Sequence, residues 1–316
     1  MIANLSDTYH FTCDDSYPSF YYNPSSRANF LVLMIISLLV TVITLSANAI
    51  LLLTLLFNKR VQDRPTIVLI PLVFTDLLQS FTTMPLLSFT SYGLYNHQLH
   101  CTISKVATVS GYCLCFMTIS SIFLITFDQF MVVVLPFRKF TSLQQMVLFL
   151  LISWIVYAVL AFLFLVVYTD FWIFYLGLTA LVMIVLFLVL CYCHTKINIV
   201  VKVTIKNISL TNIREAADIK QRGKSSKTSL IVLVLFVLSY IPFIAYTIFE
   251  VVHGVTQYTV TYVQLWKDFF ALLNSFWNPF VCLWRLSKLR TATVSSISTF
   301  CCEVIRVRKS PKISPM

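Results

Sequence analysis

The run Ile67-Val-Leu-Ile-Pro71-Leu-Val-Phe-Thr-Asp76-Leu-Leu-Gln-Ser-Phe-Thr-Thr-Met-Pro85-Leu-Leu87 decides how the rest of the chain is read. It is long enough to cross a bilayer as a helix, which needs about 20 mostly apolar residues. Asp76 lies in its middle and is the only formally charged residue between Arg64 and Lys105. Placing a carboxylate there costs at least ~2.5 kcal/mol on insertion scales, so such a residue marks function and needs a partner. Other apolar runs supply polar candidates: Asn48, Thr118, Asn274, Ser275 and Asn278.

Working outward, 59% of the 316 residues are hydrophobic and 11% charged, which excludes an ordinary soluble domain. Apolar runs at 30–57, 66–92, 103–135, 143–168, 171–201, 229–252 and 258–284 predict an all-α membrane protein with seven transmembrane helices. The seventh carries Lys267 and Asp268 and is the weakest by hydropathy. Pro71, Pro85, Pro242 and Pro279 fall inside spans, where neighbouring helices and water can satisfy the freed carbonyls; kinks are expected in spans two, six and seven.

Charge sets the orientation. Of 23 Lys and Arg, 20 fall on one side of a seven-span chain: Lys59, Arg60, Arg64, Arg138, Lys139, eight between 196 and 227, and seven from Arg285 to Lys312. Arg27, Lys105 and Lys267 fall on the other. Basic residues collect in the cytoplasm, so the N-terminus is expected outside and the C-terminus inside. The net charge of +11 then reflects topology and attraction to anionic membrane lipid, and not nucleic-acid binding. Residues 1–28 form a polar outer tail without a signal-peptide pattern, 29–284 the bundle, and 285–316 a short amphipathic eighth helix and inner tail. Residues 202–227 are expected to be the one long loop.

Asn4-Leu-Ser6 is a glycosylation acceptor on the outer side. Cys301 and Cys302 follow a basic amphipathic stretch and are either palmitoylated or free thiols. Cysteines within the spans read as small buried apolar residues. Only five glycines occur, which argues against a transporter of paired, glycine-interrupted helices. No His-Glu-x-x-His motif, phosphate-binding glycine loop or paired catalytic carboxylates occur, so no enzymatic activity is expected.

Several motifs come in a telling order. They are Asn48 in span one, Leu-Val-Phe-Thr-Asp76 in span two, Asp128-Gln129-Phe130 ending span three, and Trp154 in span four. Phe236-x-x-Ser-Tyr240-x-Pro242 follows in span six and Asn274-Ser275-x-x-Asn278-Pro279-x-x-Cys282 in span seven. Together, over about 48–302, they resemble the rhodopsin-like (class A) G-protein-coupled receptors. The resemblance implies an extracellular small-molecule or peptide ligand and a cytoplasmic G protein or arrestin. It also implies that Asp76, with Asn48, Thr118, Asn274, Ser275 and Asn278, surrounds an allosteric Na⁺ with water in the resting state. Phe236, Tyr240, Pro242 and Pro279 would be switch residues; Asp128, Gln129, Phe130 and Arg222 would face the G protein. From the residues alone, two plainer readings stay open: Asp76 as a protonated acid holding helices together, and Phe236 and Tyr240 as ordinary core.

The chain departs from the family pattern at the inner end. Gln129 replaces Arg and cannot pair with Asp128, Arg222 is basic where relatives often have Glu, and Cys282 replaces Tyr. Weak or non-standard coupling is therefore expected, and a non-coupling decoy or scaffold receptor stays open; a transporter or channel would need further buried charge. The usual outer disulfide is doubtful, with Cys101 pairing with Cys13 or staying free. Gly111 disfavours a monoamine and Leu272 excludes a retinal Schiff base. Pocket candidates are Lys105, Tyr112, Phe243, Tyr246, Glu250 and Asp268, with His253 and Lys267 beside them. Glu250 and Asp268 either recognise a basic peptide or form a solvated rim with Lys267. The short second outer loop resembles the cluster of melanocortin, adenosine and lysolipid receptors.

Overall fold

The computed structural model describes residues 24–96, 101–135, 143–167, 172–208, 213–253 and 257–309. Asn4, Cys13, Pro136 and the 168–171 connection lie outside the described residues, as do the side chains of Cys101, Lys105, Arg222, Glu250, His253, Cys301 and Cys302. In chain order the helices are α1 (Pro24–Phe57), α2 (Arg64–Ile67), α3 (Ile70–Phe81), α4 (Thr83–Tyr95) and α5 (Cys101–Val134). Then come α6 (Leu143–Val167), α7 (Trp172–Ile208), α8 (Ile213–His253), α9 (Gln257–Arg285) and α10 (Ser287–Lys309). The seven-span bundle is α1, the α3–α4 pair, and α5 to α9.

Within the described residues, five stretches are long and apolar enough to cross a membrane: Arg27–Phe57, Ile70–Tyr95, Val109–Val134, Ile184–Thr204 and Lys227–Tyr246. Gln144–Leu160 in α6 is a shorter apolar stretch, and α9 is absent from this group because Lys267 and Asp268 lower its hydropathy. The exterior is apolar, unlike that of a soluble protein, and several polar side chains lie among the hydrophobic core. Leu39, Phe149, Ile155 and Leu188 point outward, while Thr44, Asn48, Asp76, Ser121 and Ser275 are buried. An apolar exterior with polar groups inside is what a bilayer solvent requires, since lipid offers no hydrogen bonds. Most buried hydroxyls are satisfied within their own helix: Thr41 donates to the Ser37 carbonyl at 2.6 Å and Ser121 to that of Met117 at 2.8 Å.

Helix α5 is the central post, packing against α3, α4, α6, α7, α8 and α9. Polar clasps fix its neighbours: Trp154 on α6 donates from Nε1 to Ser120 Oγ at 3.2 Å and stacks on Phe74. Ser37 and Ser88 bind at 2.8 Å between α1 and α4.

The second span breaks where Pro85 requires it. Proline has no N–H, so the Phe81 carbonyl four residues earlier loses its helical donor. Thr82, at φ −113° and ψ −74°, turns the chain between α3 and α4, and its N–H and hydroxyl both donate to the Leu78 carbonyl. Pro242 and Pro279, by contrast, lie inside continuous helices.

The expected long loop at 202–227 is largely helix instead: α7 runs to Ile208 and α8 starts at Ile213. Its Ala, Glu, Gln, Lys and Arg content favours helix strongly enough to carry both helices beyond the apolar core. The last helix, α10, has 23 residues and is longer than expected, because neither Gly nor Pro interrupts it. Leu289, Ala292 and Thr293 are buried along one face, and Lys288 pairs with Asp63 at 2.6 Å. Burial alone would raise the Asp63 carboxyl, but Lys288 and the Thr66 hydroxyl outweigh it and hold it below 3.8. A depressed folded value means the pair stabilises fully above the ordinary carboxylate range and is lost as pH falls through the depressed value. Hydrogen-exchange protection factors at the start of α10, corrected for the intrinsic rate at each pH, should therefore stay constant from pH 7 to about pH 5 and fall below about pH 4. Lys288→Ala should lower them already at pH 7.

Candidate functional site

Ser275 is the hinge of the polar cluster. Four residues on, Pro279 has no N–H, so the Ser275 carbonyl has no donor within α9. Asn48 on α1 supplies one: Nδ2 donates to that carbonyl at 3.2 Å and to the Thr44 carbonyl at 3.0 Å. The Ser275 hydroxyl turns the other way, lying 2.7 Å from Asp76 Oδ1 and 2.6 Å from Gln79 Oε1. Asn278 Nδ2 donates to Asp76 Oδ2 at 2.8 Å. One residue thus ties α1, α3 and α9 together.

Proton bookkeeping narrows the state of Asp76. A hydroxyl has one proton, so Ser275 cannot donate to both Asp76 and Gln79. Either the Gln79 amide is turned so that its NH₂ donates to Ser275, leaving Asp76 ionised, or Asp76 is protonated and starts a chain through Ser275 to Gln79. Two charge-assisted bonds are worth about 3–6 kcal/mol, well short of the cost of order 20 kcal/mol for a bare carboxylate in a dry interior. A fully buried Asp76 therefore needs a proton or a cation. Four buried oxygens of the residues expected to surround Asp76 lack a partner among the described residues: Asn48 Oδ1, Thr118 Oγ1, Asn274 Oδ1 and Asn278 Oδ1. Thr118 and Asn274, expected in the cluster, are buried without hydrogen bonding to Asp76, whereas Gln79 does join it. Gln79 follows Asp76 by three residues, on the same helical face; that spacing was the available signal.

At the other end of α5, Asp128 is buried and has found a cation. Arg64 Nη2 lies 2.7 Å and Nε 2.8 Å from Asp128 Oδ1. The sequence left Asp128 without a partner because Gln129 is neutral; the partner comes from α2, and Arg64 was missed because it reads as a loop charge. Gln129 is itself buried and lines a narrow cavity with Leu72, Ile125, Ser229 and Cys282. Room there is for roughly one water. Phe130 lies beside Tyr192, their ring centroids 6.4 Å apart. A second buried clasp, Thr126 to Ser229 at 3.0 Å and to His194 at 3.3 Å, joins α5, α8 and α7.

Towards the opposite end, rings stack along α8 on both sides of Pro242. Phe236 and Tyr240 lie 4.6 Å apart, Tyr240 meets Phe243 at 6.3 Å, and Tyr112 of α5 meets Phe243 edge-on at 5.6 Å. Lys267 ends this column with Nζ 4.7 Å from the Phe243 ring and 4.9 Å from that of Tyr246. It is 6% exposed, and no described carboxylate lies within ion-pair distance of it, although the charge of Asp268 acts on it at longer range. Cation–π contact contributes about 2 kcal/mol per desolvated ring, against several kcal/mol for removing an ammonium from water.

The profile of the 7 transmembrane receptor (rhodopsin family) matches residues 47–281, well over half of the chain. The chain belongs to the rhodopsin family of seven-transmembrane receptors. No curated protein matches the chain. The family match begins beside Asn48 and ends beside Cys282, so it takes in the whole Asp76 cluster. It identifies a multi-pass membrane receptor of the G-protein-coupled type, with partners of the two general kinds such receptors have, ligand and G protein.

In this receptor, Ser275→Ala should remove one of the two hydrogen-bond partners of Asp76 and lower stability by about 1–3 kcal/mol, read by thermal unfolding in detergent. Arg64→Ala should strand the buried Asp128. The half-exposed guanidinium moderates that loss to about 1–3 kcal/mol, and the double variant Arg64→Met with Asp128→Asn should recover most of it.

Proposed function

We propose that this receptor carries the binding of an extracellular ligand to a cytoplasmic G protein or arrestin at the plasma membrane, with Na⁺ at Asp76 holding its resting state. The observation that carries the reading is the Asp76 layer: a buried carboxylate beside unpartnered oxygens, joined through Ser275 to three helices. The donor set fits a hard cation, since every group offered to it is oxygen: the Asp76 carboxylate, the Ser275 and Thr118 hydroxyls and the Asn274 and Asn278 amides. Bound Na⁺ supplies the positive charge that offsets ionised Asp76. The side chains do the rest. Asn278 and Ser275 orient the carboxylate, and Asn48 keeps α9 against α1.

Charge asymmetry supports an outer N-terminus, with Asn4 as the glycosylation acceptor and Cys301 and Cys302 as inner palmitoylation sites. Activation is then a shift between two packings, ligand and inner partner both favouring the open one. Phe236, Tyr240, Pro242 and Pro279 belong to the two helices that repack, and the narrow cavity at Gln129 is where the partner's surface gains access.

A second reading, a receptor that binds ligand without coupling, is favoured by one observation: the Arg64–Asp128 pair and a neutral Gln129 leave no free cation on that turn of α5. Gln129→Arg separates the two; gained nucleotide exchange with a G protein would support the non-coupling reading of the wild type, and robust exchange with Gln129 intact the first. For the cation, replacing N-methylglucamine by Na⁺ at tenfold its dissociation constant adds about 1.4 kcal/mol of stability. The wild-type melting temperature should rise by a few degrees, and that of Asp76→Asn should not move. Equal responses would leave Asp76 a protonated structural acid.

A further inference from the structure

Lys267 stands on α9 eight residues before Ser275, about 12 Å nearer the end of the bundle remote from Arg64. It is buried, and what surrounds its ammonium is aromatic. Phe243 and Tyr246 of α8 present rings at 4.7 and 4.9 Å, and Tyr112 of α5 backs Phe243. Three helices therefore converge on one cation, and no described carboxylate lies within ion-pair distance of it. Asp268, its neighbour in sequence, is turned about 100° round the helix and acts on the ammonium only at longer range.

We propose that Lys267 is the anchor of the ligand site and that the ligand is an anionic amphiphile: one carboxylate or phosphate on Nζ, with an apolar or aromatic body against Tyr112, Phe243 and Tyr246. This names the ligand class for the receptor proposed above and rests on that reading. It also replaces the basic peptide that Glu250 and Asp268 suggested. A compact ammonium in an apolar surround is a strong point contact for a small anion and gives an acidic headgroup a decisive advantage over its neutral counterpart. The aromatic walls favour an apolar body. An anion drawing Nζ away from the Phe243 ring would disturb the same column that runs through Tyr240 to Phe236 across Pro242. Ligand chemistry and switch are thus connected by contacts already in place.

The test uses the full chain in nanodiscs of neutral phosphatidylcholine, with thermal unfolding as readout because it requires no coupling. Oleate and 3-phenylpropionate probe carboxylates, and 1-oleoyl lysophosphatidate probes phosphate; oleyl alcohol, 3-phenylpropanol and monooleoylglycerol are the uncharged counterparts. At least one anion should raise the melting temperature by about 3 °C or more above its counterpart. The shift should disappear in Lys267→Gln and persist in Lys267→Arg. Whichever headgroup acts separates a fatty-acid-like from a phospholipid-like ligand. The Na⁺ response of Lys267→Gln reports whether that variant is folded; should it fail to fold, the charged-against-neutral comparison on the wild type and on Lys267→Arg decides alone. The proposal is overturned if no anion exceeds its neutral counterpart, or if Lys267→Gln keeps the shift. Loss of the anion effect with an intact Na⁺ response removes the ligand class and leaves the receptor reading standing.

Discussion

A missing N–H organises this receptor. Pro279 cannot donate to the Ser275 carbonyl, and a carbonyl stranded in a bilayer-embedded helix costs as much as any other unpaired buried polar group. Asn48 covers it from α1, and the same Ser275 then holds Asp76 on α3 with its side chain. Neither bond is strong on its own. Their shared residue makes α1, α3 and α9 one unit, so a change in the charge of Asp76 reaches three helices at once.

Around this unit the bundle solves the bilayer's demand in a consistent way. Hydroxyls bond to their own helix, apolar side chains face outward, and the few polar atoms left over concentrate in the Asp76 layer and at the two ends of α5. At one end the Arg64–Asp128 pair ties α2 to α5 beside a narrow cavity. Towards the other, an ammonium rests on ring faces at the head of an aromatic column that passes Pro242. The three polar centres share α5 and α9 as walls, which is how a group bound near one can bias the packing at another.

Much of this was legible in the sequence because membranes impose simple rules. Apolar run length marked the spans, and a lone Asp76 in an apolar run pointed to partners on other helices. Asn48, Ser275 and Asn278 were recognisable for the same reason, as polar groups where lipid solvent forbids idle ones. The misses share a different cause. Gln79 was passed over because partners for Asp76 were sought on other helices, and Arg64 looked like an ordinary loop charge because nothing local says that a short helix folds back onto α5. Lys267 lowered the apparent hydropathy of its span and so read as a rim residue, whereas tertiary packing buries it. Helix extension through 202–227 was hidden by counting charge instead of propensity. Local composition, in short, marks what the bilayer touches; which polar groups meet across helices depends on packing.

The central claim is that Asn48 serves the carbonyl that Pro279 exposes, and a double-mutant cycle between these two positions tests it most directly. Unfolding of the four proteins in detergent should show Asn48→Ala costing about 1–2 kcal/mol beside Pro279 and close to nothing beside Pro279→Ala, where the restored N–H covers the Ser275 carbonyl. An equal cost in both backgrounds would contradict the account.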